Sequence, residues 1–394
     1  MSRFGGLITD WVFFGPLSLL FNILDWLIPK SPDLILFGSN HGKHFSDNSK
    51  SLFIHMIKKE DAVRPIWFSR SKQVVEEINE QYPGHAVKSP SLKAAMTYLR
   101  AKRIVISHSF LDMCLMPYTN NKEINYLWHG VPLRKIGKMV DENRGLAASR
   151  IISHWSRWNR RVDFFYASSN YEAEIMKRAF LIEGMNIEVS GYPRNDCLFD
   201  FIQEKKGDGE EVVILYAPTH REAIHGGETG FLPILHPDFS EGEIHYFLEK
   251  MKSRLIIRPH PISSTGKCTS DRIEYITVDQ VPDISELFRT SDILVTDYSS
   301  TYFDWLILDK PIIFSIYDFQ EYGEEIGFIE EFEDIAAGQI ALTKEELLES
   351  LEKSIKKSDY DVDKRMKVRE MIGMARGDSC RRISKSIISR IELK

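Results

Sequence analysis

A chain of 394 residues with 43% hydrophobic and 27% charged residues is long enough for two domains, and this composition excludes a disordered protein. Its formal net charge of -6 gives no general attraction to nucleic acid, so nucleic acid is not expected as a partner and any recognition of phosphate must be local. Cys114, Cys197, Cys268 and Cys380 are scattered, with no CxxC pair and no zinc-like spacing, which implies reduced thiols in a cytoplasmic setting.

Leu7 to Ile28 is rich in leucine and aromatics but is broken by Asp10, Gly15, Pro16, Asn22 and Asp25. Its uncharged part, Trp11 to Leu24, is shorter than the roughly 20 residues of a bilayer crossing, and no small-x-small cleavage site follows. The pattern predicts an amphipathic segment over residues 1–30 lying in a membrane interface, with Trp11 and Trp26 as anchors. The competing reading is a helix packed on the protein's own core.

From Asp33 onward strands and helices alternate. Strands are predicted at Leu34–Phe37, Pro65–Phe68, Ile104–Ser107, Ile124–Trp128 and Phe164–Ala167, with helices near Asn48–Lys59, Lys72–Gln81, Leu92–Lys102 and Tyr171–Phe180. Glu204 to Glu210 is charged, contains glycine and lacks apolar residues, as a linker would. The pattern then restarts with strands at Val212–Tyr216, Leu255–Arg258, Ile273–Thr277, Ile293–Thr296 and Ile312–Phe314. This is an α/β grammar of parallel sheets, with one domain over residues 31–205 and another over 206–394. Two such halves imply a central cleft. The charged helical stretch from Thr343 is expected to close the second domain.

Five polar clusters follow predicted strands. In Leu127–Gly137, His129 leaves a strand into a Gly-Pro loop, suited to general-base work, with Arg134 and Lys135 close by. Gly191–Asp196 reads as a turn entering a helix. Tyr216–Glu222 carries Thr219 and Arg221, the latter a candidate phosphate clamp. Ile257–Pro261 carries Arg258 and holds His260 between prolines in an extended loop. Asp292–Ser315 reads as strand, polar turn, helix over Thr301–Leu308, stop at Lys310-Pro311, and strand. There Asp297, Ser299 and Ser300 form the turn, and the serines suit a phosphate at a helix start or serve as an ordinary N-cap. No G-x-x-x-x-G-K-[ST] or G-x-G-x-x-G is present, which argues against P-loop and dinucleotide chemistry. No D-x-D or histidine–carboxylate cluster demands a metal, and a loosely bound Mg stays compatible.

The ordered series LWHGVPLRKIG, GYPRND, LYAPTHRE, IIRPHP and VTDYSSTYFDWLILDKPIIF, with the later YDFQEYGEEIGF, resembles the CDP-glycerol glycerophosphotransferase family of teichoic acid synthesis from about Ser107 to Phe328. The resemblance implies a GT-B-like fold of two Rossmann-like domains and peripheral attachment to the cytoplasmic face of the membrane. It also implies a CDP-glycerol or CDP-ribitol donor held mainly by the C-terminal half, with no required cofactor. His129 would then deprotonate the acceptor hydroxyl. His260 would contact the donor phosphates beside Ser299, Ser300 and Arg221, and Thr219, Arg258, Asp297 and Asp304 fall in the same donor-side motifs. Val131 stands where the family loop usually has threonine, and Ala336-Ala337-Gly338 where it has proline-glycine. Lacking the long N-terminal region of the large polymerising members, the chain is more like the short primase-type enzymes.

Arg134 to Arg161 is basic and carries Trp155 and Trp158. Such a stretch suits an anionic membrane and a polyprenyl-diphosphate-linked acceptor, or forms a solvated basic helix. Two rival functions stay open from sequence. One is a GT-B glycosyltransferase using a nucleotide sugar, and the other is a membrane-surface binding module without catalysis.

Overall fold

The apolar runs of the sequence become parallel strands in two separate sheets. The structure, a computed structural model, describes residues 16–139, 161–180, 186–202, 211–219, 235–259, 270–320, 327–373 and 377–392. In chain order, α1 (Pro16–Leu27) precedes β1 (Ser31–Gly38), α2 (Asp47–Lys59), β2 (Arg64–Ser69), α3 (Lys72–Gln81), β3 (Ala86–Lys88), α4 (Leu92–Arg100), β4 (Ala101–Ile106) and β5 (Glu123–Tyr126). Then come β6 (Phe164–Ala167), α5 (Asn170–Phe180), β7 (Asn186–Val189) and α6 (Asp196–Phe201). These strands form a sheet in the order β3-β2-β1-β4-β5-β6-β7, every pair parallel.

The second sheet repeats the plan. It draws on β8 (Val212–Ala217), α7 (Glu241–Lys250), β9 (Ser253–Ile257), β10 (Ile273–Tyr275), α8 (Ile284–Thr290), β11 (Ile293–Thr296), α9 (Thr301–Trp305), β12 (Ile312–Ser315), α10 (Phe332–Ile335) and β13 (Gln339–Ala341). The helices α11 (Lys344–Lys356), α12 (Val362–Ile372) and α13 (Ser379–Glu392) follow. The strand order is β10-β9-β8-β11-β12-β13, again all parallel. In both sheets the first three strands run outward one way and the rest the other, the doubly wound arrangement of Rossmann-like folds. Burial on both faces explains why the strands read as near-continuous apolar runs rather than alternating ones. The sequence reading missed β3, β7 and β13, which have only three or four residues each.

The expected boundary near residue 205 needs two corrections. One unit comprises Met1–His129, Arg144–Asp196 and Ala375–Lys394, the other Gly130–Asn143 and Cys197–Met374. The segment after Gly130 joins the second unit because Lys135 N–H donates to Gly327 O at 3.2 Å and Ile329 N–H to Leu133 O at 3.1 Å. The stretch from Thr343 does not all close the second unit. Its last helix, α13, buries Cys380, Ile383 and Ile387 among Ile35, Phe37, Phe53 and Trp67 of the first. Asp196 caps α13, accepting Ser379 N–H at 2.9 Å and Cys380 N–H at 2.8 Å. Arg390 then donates to Asn125 Oδ1 at 2.7 Å and Tyr166 Oη at 3.1 Å, so buried polar groups of β5 and β6 are satisfied by this helix.

Helix α1 is fastened by its polar side. Ser18 donates to Tyr118 O at 2.9 Å, and Asp25, fully buried, accepts from Lys30 at 2.6 Å and from Lys122. Burial lowers the Lys122 pKa to about 7 against the pull of Asp25. Of the residues that interrupt the apolar run in sequence, Asn22 and Asp25 thus face the protein, while Pro16 is exposed. Leu19, Ile23 and Trp26 are left exposed, Trp26 by 80%. Trp11 and the linker residues 204–210 lie outside the described residues. Among the described residues no helix is long and apolar enough to cross a membrane.

Replacing Ile383, which is fully buried against the first sheet, by alanine should destabilise that unit by about 2–5 kcal/mol, the usual cost of such a cavity. Urea unfolding followed by the fluorescence of Trp67 checks this. An unchanged midpoint would mean that α13 does not complete this core.

Candidate functional site

In the first sheet β1 and β4 are neighbours whose onward connections diverge, and such a switch point is where open parallel sheets bind ligands. The loops leaving β1, β4 and β5 bring Asn40 and His41, Ser107 to Asp112, and Leu127 to His129 together. The start of α2 adds Asp47 and Asn48, and the Pro193–Asn195 turn adds Arg194. Asp112 organises the loop behind β4: its Oδ2 accepts N–H groups from Ser107, His108 and Ser109 at 3.1, 2.8 and 3.3 Å, and its Oδ1 that of His41 at 2.8 Å. Burial pushes its pKa up, yet four amide donors leave no room for a carboxyl proton, and we assign it as a carboxylate.

His129 stands at the end of this arrangement. Trp128 before it has φ 56°, a left-handed conformation rare for a large side chain. The indole is held there by Tyr126 and Phe180, with ring centroids at 5.5 and 5.8 Å. Nδ1 of His129 lies 3.1 Å from Ser107 O, which assigns the hydrogen to Nδ1 and leaves Nε2 as the proton acceptor. The residue is exposed to solvent, so a substrate hydroxyl can reach it. Burial of the ring lowers its pKa to about 4, a charge on His108 or Arg194 acting in the same direction and Asp47 and the Ser107 carbonyl against it. His108 stacks on it with centroids 4.7 Å apart and planes within 7°. Asn48, fully buried, donates to Trp128 O at 3.0 Å and accepts Arg194 N–H at 3.2 Å. Arg194 in turn donates to Asp47 Oδ1 at 2.5 Å and His129 O at 3.0 Å. The sequence reading singled out His129 and took the Arg194 turn as structural, but did not name Asp47, Asn48, His108 or Asp112, which the structure brings around it. The signal available was the polar run Ser46-Asp47-Asn48-Ser49, which also reads as an ordinary helix start.

The second sheet has its switch point between β8 and β11. There Asp297 accepts the Thr219 N–H at 2.8 Å and its hydroxyl at 3.1 Å, which fixes the loop leaving β8. Ser299 Oγ accepts Thr301 N–H at 3.3 Å and donates to Thr301 Oγ1 at 2.9 Å, while Ser300 makes no side-chain cap bond. The helix expected over Thr301–Leu308 is α9 followed by a tighter 3-10 turn at Leu306–Leu308. Asp304 is buried within α9. The expectation for Arg258 is corrected. Its guanidinium is buried and donates to the carbonyls of Ile276 at 3.2 Å, Thr277, Val281 and Pro282 at 3.4 Å, so it clamps that loop instead of facing a phosphate. Arg134 and Lys135 are exposed in the second unit. His260, Arg221, Trp155 and Trp158 lie outside the described residues.

The family model described as CDP-Glycerol:Poly(glycerophosphate) glycerophosphotransferase matches residues 20–389. The chain is 30% identical over 355 residues to the teichoic acid glycerol-phosphate transferase of Staphylococcus aureus NCTC 8325, covering 82% of this chain and 85% of that relative. It is 28% identical over 398 residues to the teichoic acid poly(glycerol phosphate) polymerase of Bacillus spizizenii W23, covering 94% and 95%. Among solved structures, the wall teichoic acid polymerase TagF matches with a TM-score of 0.78 at 24% identity over 95% of this chain and 93% of that one. A variant of TagF soaked with CDPG matches with the same TM-score at 25% identity and the same coverage. The architecture is therefore GT-B-like.

Arg258→Met should lower the melting temperature and speed hydrogen exchange at the amides of residues 276–281, because the buried carbonyls lose their donors at about 1–3 kcal/mol. Unchanged exchange with weakened donor binding would restore Arg258 as a phosphate ligand.

Proposed function

We infer the chemistry from one premise: this chain belongs to the CDP-glycerol:poly(glycerophosphate) glycerophosphotransferase family. It is a transferase of glycerol phosphate in teichoic acid synthesis, with CDP-glycerol as donor. In the proposed reaction a hydroxyl of the acceptor gives its proton to Nε2 of His129 and attacks the β-phosphorus of CDP-glycerol. The bond from that phosphorus to the bridging oxygen breaks, and CMP leaves. The observation that carries this reading is the bond from His129 Nδ1–H to Ser107 O, which leaves one exposed basic nitrogen on a fixed ring.

On the donor side, His260 and Arg221 are assigned from their sequence motifs to the charge that builds on the phosphates, and the hydroxyls of Thr219, Ser299 and Ser300 share that role. Asp297 holds Thr219 in place. No cofactor is needed in this scheme, and a loosely held Mg²⁺ would enter as part of the donor diphosphate. The several relatives named for glycerol phosphate support glycerol over ribitol as the donor's alcohol.

The acceptor is proposed to be polyprenyl-diphosphate-linked and presented at the cytoplasmic face of the membrane, where the protein sits peripherally. The exposed apolar side of α1 supports this, as do the exposed Arg134 and Lys135. Trp155 and Trp158 support the membrane reading from the sequence pattern alone.

His129→Asn should lower kcat by about 10²–10⁴-fold while CDP-glycerol still raises the melting temperature of the variant. Full activity in the variant would dismiss His129 as the base. A pH profile adds a sign. The ring must be neutral to act, and its pKa in the free protein lies near 4, so kcat/KM should hold as pH falls through the ordinary histidine value of about 6.5 and drop only well below it. The anionic donor nearby favours the protonated ring, so the acid limb of kcat should lie higher than that of kcat/KM. For the membrane reading, Leu20→Ser with Trp26→Ser should reduce sedimentation with anionic vesicles without lowering the melting temperature. Equal sedimentation would remove α1 from the contact.

A further inference from the structure

The carboxylate of Asp47 reaches His129 by two routes. Through the side chains, Asp47 Oδ2 lies 3.5 Å from His108 Nε2, and the His108 ring stacks on that of His129. Through the backbone, Asp47 Oδ1 holds Arg194 Nη1 at 2.5 Å, and the same Nη1 donates to His129 O at 3.0 Å. The protonation of His108 is set on its far side. Asn40 N–H donates to His108 Nδ1 at 3.3 Å, so the ring hydrogen sits on Nε2, toward Asp47. A second proton on Nδ1 would meet that N–H head-on, which keeps His108 neutral.

Resting on the reading of His129 as the base, we propose that Asp47 and His108 are positioning residues of the transfer: the carboxylate, acting through the neutral His108 ring, stabilises the imidazolium that His129 becomes when it takes the acceptor's proton. Arg194 holds the carboxylate at that station and the His129 backbone in register with it. The interaction is stronger with the cation than with the neutral ring, so it favours the transition state over the ground state. It resembles in logic a carboxylate behind a catalytic imidazole, with a stacked ring in place of a direct hydrogen bond. Arg194 opposes a charge on either ring and Asp47 favours one, while a charged His108 would oppose a charge on His129; the Asn40 N–H at His108 Nδ1 keeps that ring neutral and so removes the opposition. Burial would raise the Asp47 carboxyl, but the guanidinium of Arg194 above all holds it below its usual range, so the countercharge is in place. On the outer side His41 meets His108 at 6.3 Å between centroids, with Asp112, Arg70 and Lys43 behind it.

The test uses the full-length protein and three variants: Asp47→Asn, His108→Phe and His129→Asn. The pKa of His129 is read by NMR from its Cε1–H signal, assigned by its loss in His129→Asn, and CMP release from CDP-glycerol is followed with a lipid-linked glycerol phosphate acceptor. In both Asp47→Asn and His108→Phe the His129 pKa should fall, kcat should drop about tenfold for each pKa unit lost, and the donor KM should stay within about twofold. His108→Phe keeps a stacked ring without the N–H, so it carries the test even if Asp47→Asn folds poorly. A His129 pKa that stays put or rises in His108→Phe would overturn the proposal, whatever the activity. Retained activity in His129→Asn would overturn the base assignment itself, a separate outcome.

Discussion

Three connections that leave different parts of the first sheet are tied to one side-chain amide. Asn48 donates to the carbonyls of Leu127 and Trp128 and accepts the N–H of Arg194, all in a fully buried position. Only an amide offers donors to carbonyls and an acceptor to an N–H from the same side chain without a charge to bury; aspartate lacks the donor and leucine lacks both. The helix that carries Asn48 also buries Leu52, Phe53 and Met56 in the core. Close packing of that core therefore sets where the His129 loop and the Arg194 turn stand relative to each other.

The two sheets solve the same problem with the same group. At each switch point the loops on neighbouring strands diverge and their amides lose the ladder. Asp112 meets this need in the first unit and Asp297 in the second, each a buried side chain accepting a backbone N–H from the loop on the adjacent strand, that of His41 and that of Thr219 respectively. Neither carboxylate is free to face a substrate phosphate. Their contribution is to leave histidine and hydroxyl groups at the strand ends in fixed geometry, which is what an electrostatic mechanism requires.

How far the sequence could be read follows from the range of each interaction. The strands were legible because both faces of a parallel sheet are buried, so each strand is an apolar run by itself, as in Ile293–Thr296. His129 was legible because a histidine before Gly-Val-Pro after such a run can only leave a strand end. Asp47, Asn48 and His108 were not, since their roles exist only once strands distant in sequence lie side by side. Arg258 was misread for the same reason. An arginine at a strand end looks like a phosphate ligand until the carbonyls that occupy it, in a loop 18 to 24 residues later, are seen. In α1 the amphipathic pattern was clear, yet Asn22 and Asp25 looked like flaws in a membrane segment because nothing local reveals Tyr118 and Lys122 waiting for them.

The return of α13 to the first sheet has a consequence for synthesis. The capping contact between Asp196 and Ser379 spans 183 residues, and Arg390 meets Asn125 across 265. A nascent first unit therefore waits, with an apolar groove where Ile383 and Ile387 belong, until the second unit has been translated. The second unit, contiguous except for the Gly130–Asn143 segment made long before it, can fold as it emerges. The unit that holds His129 begins first and finishes last, so a ribosome-bound chain can acquire a folded second unit before the first is complete.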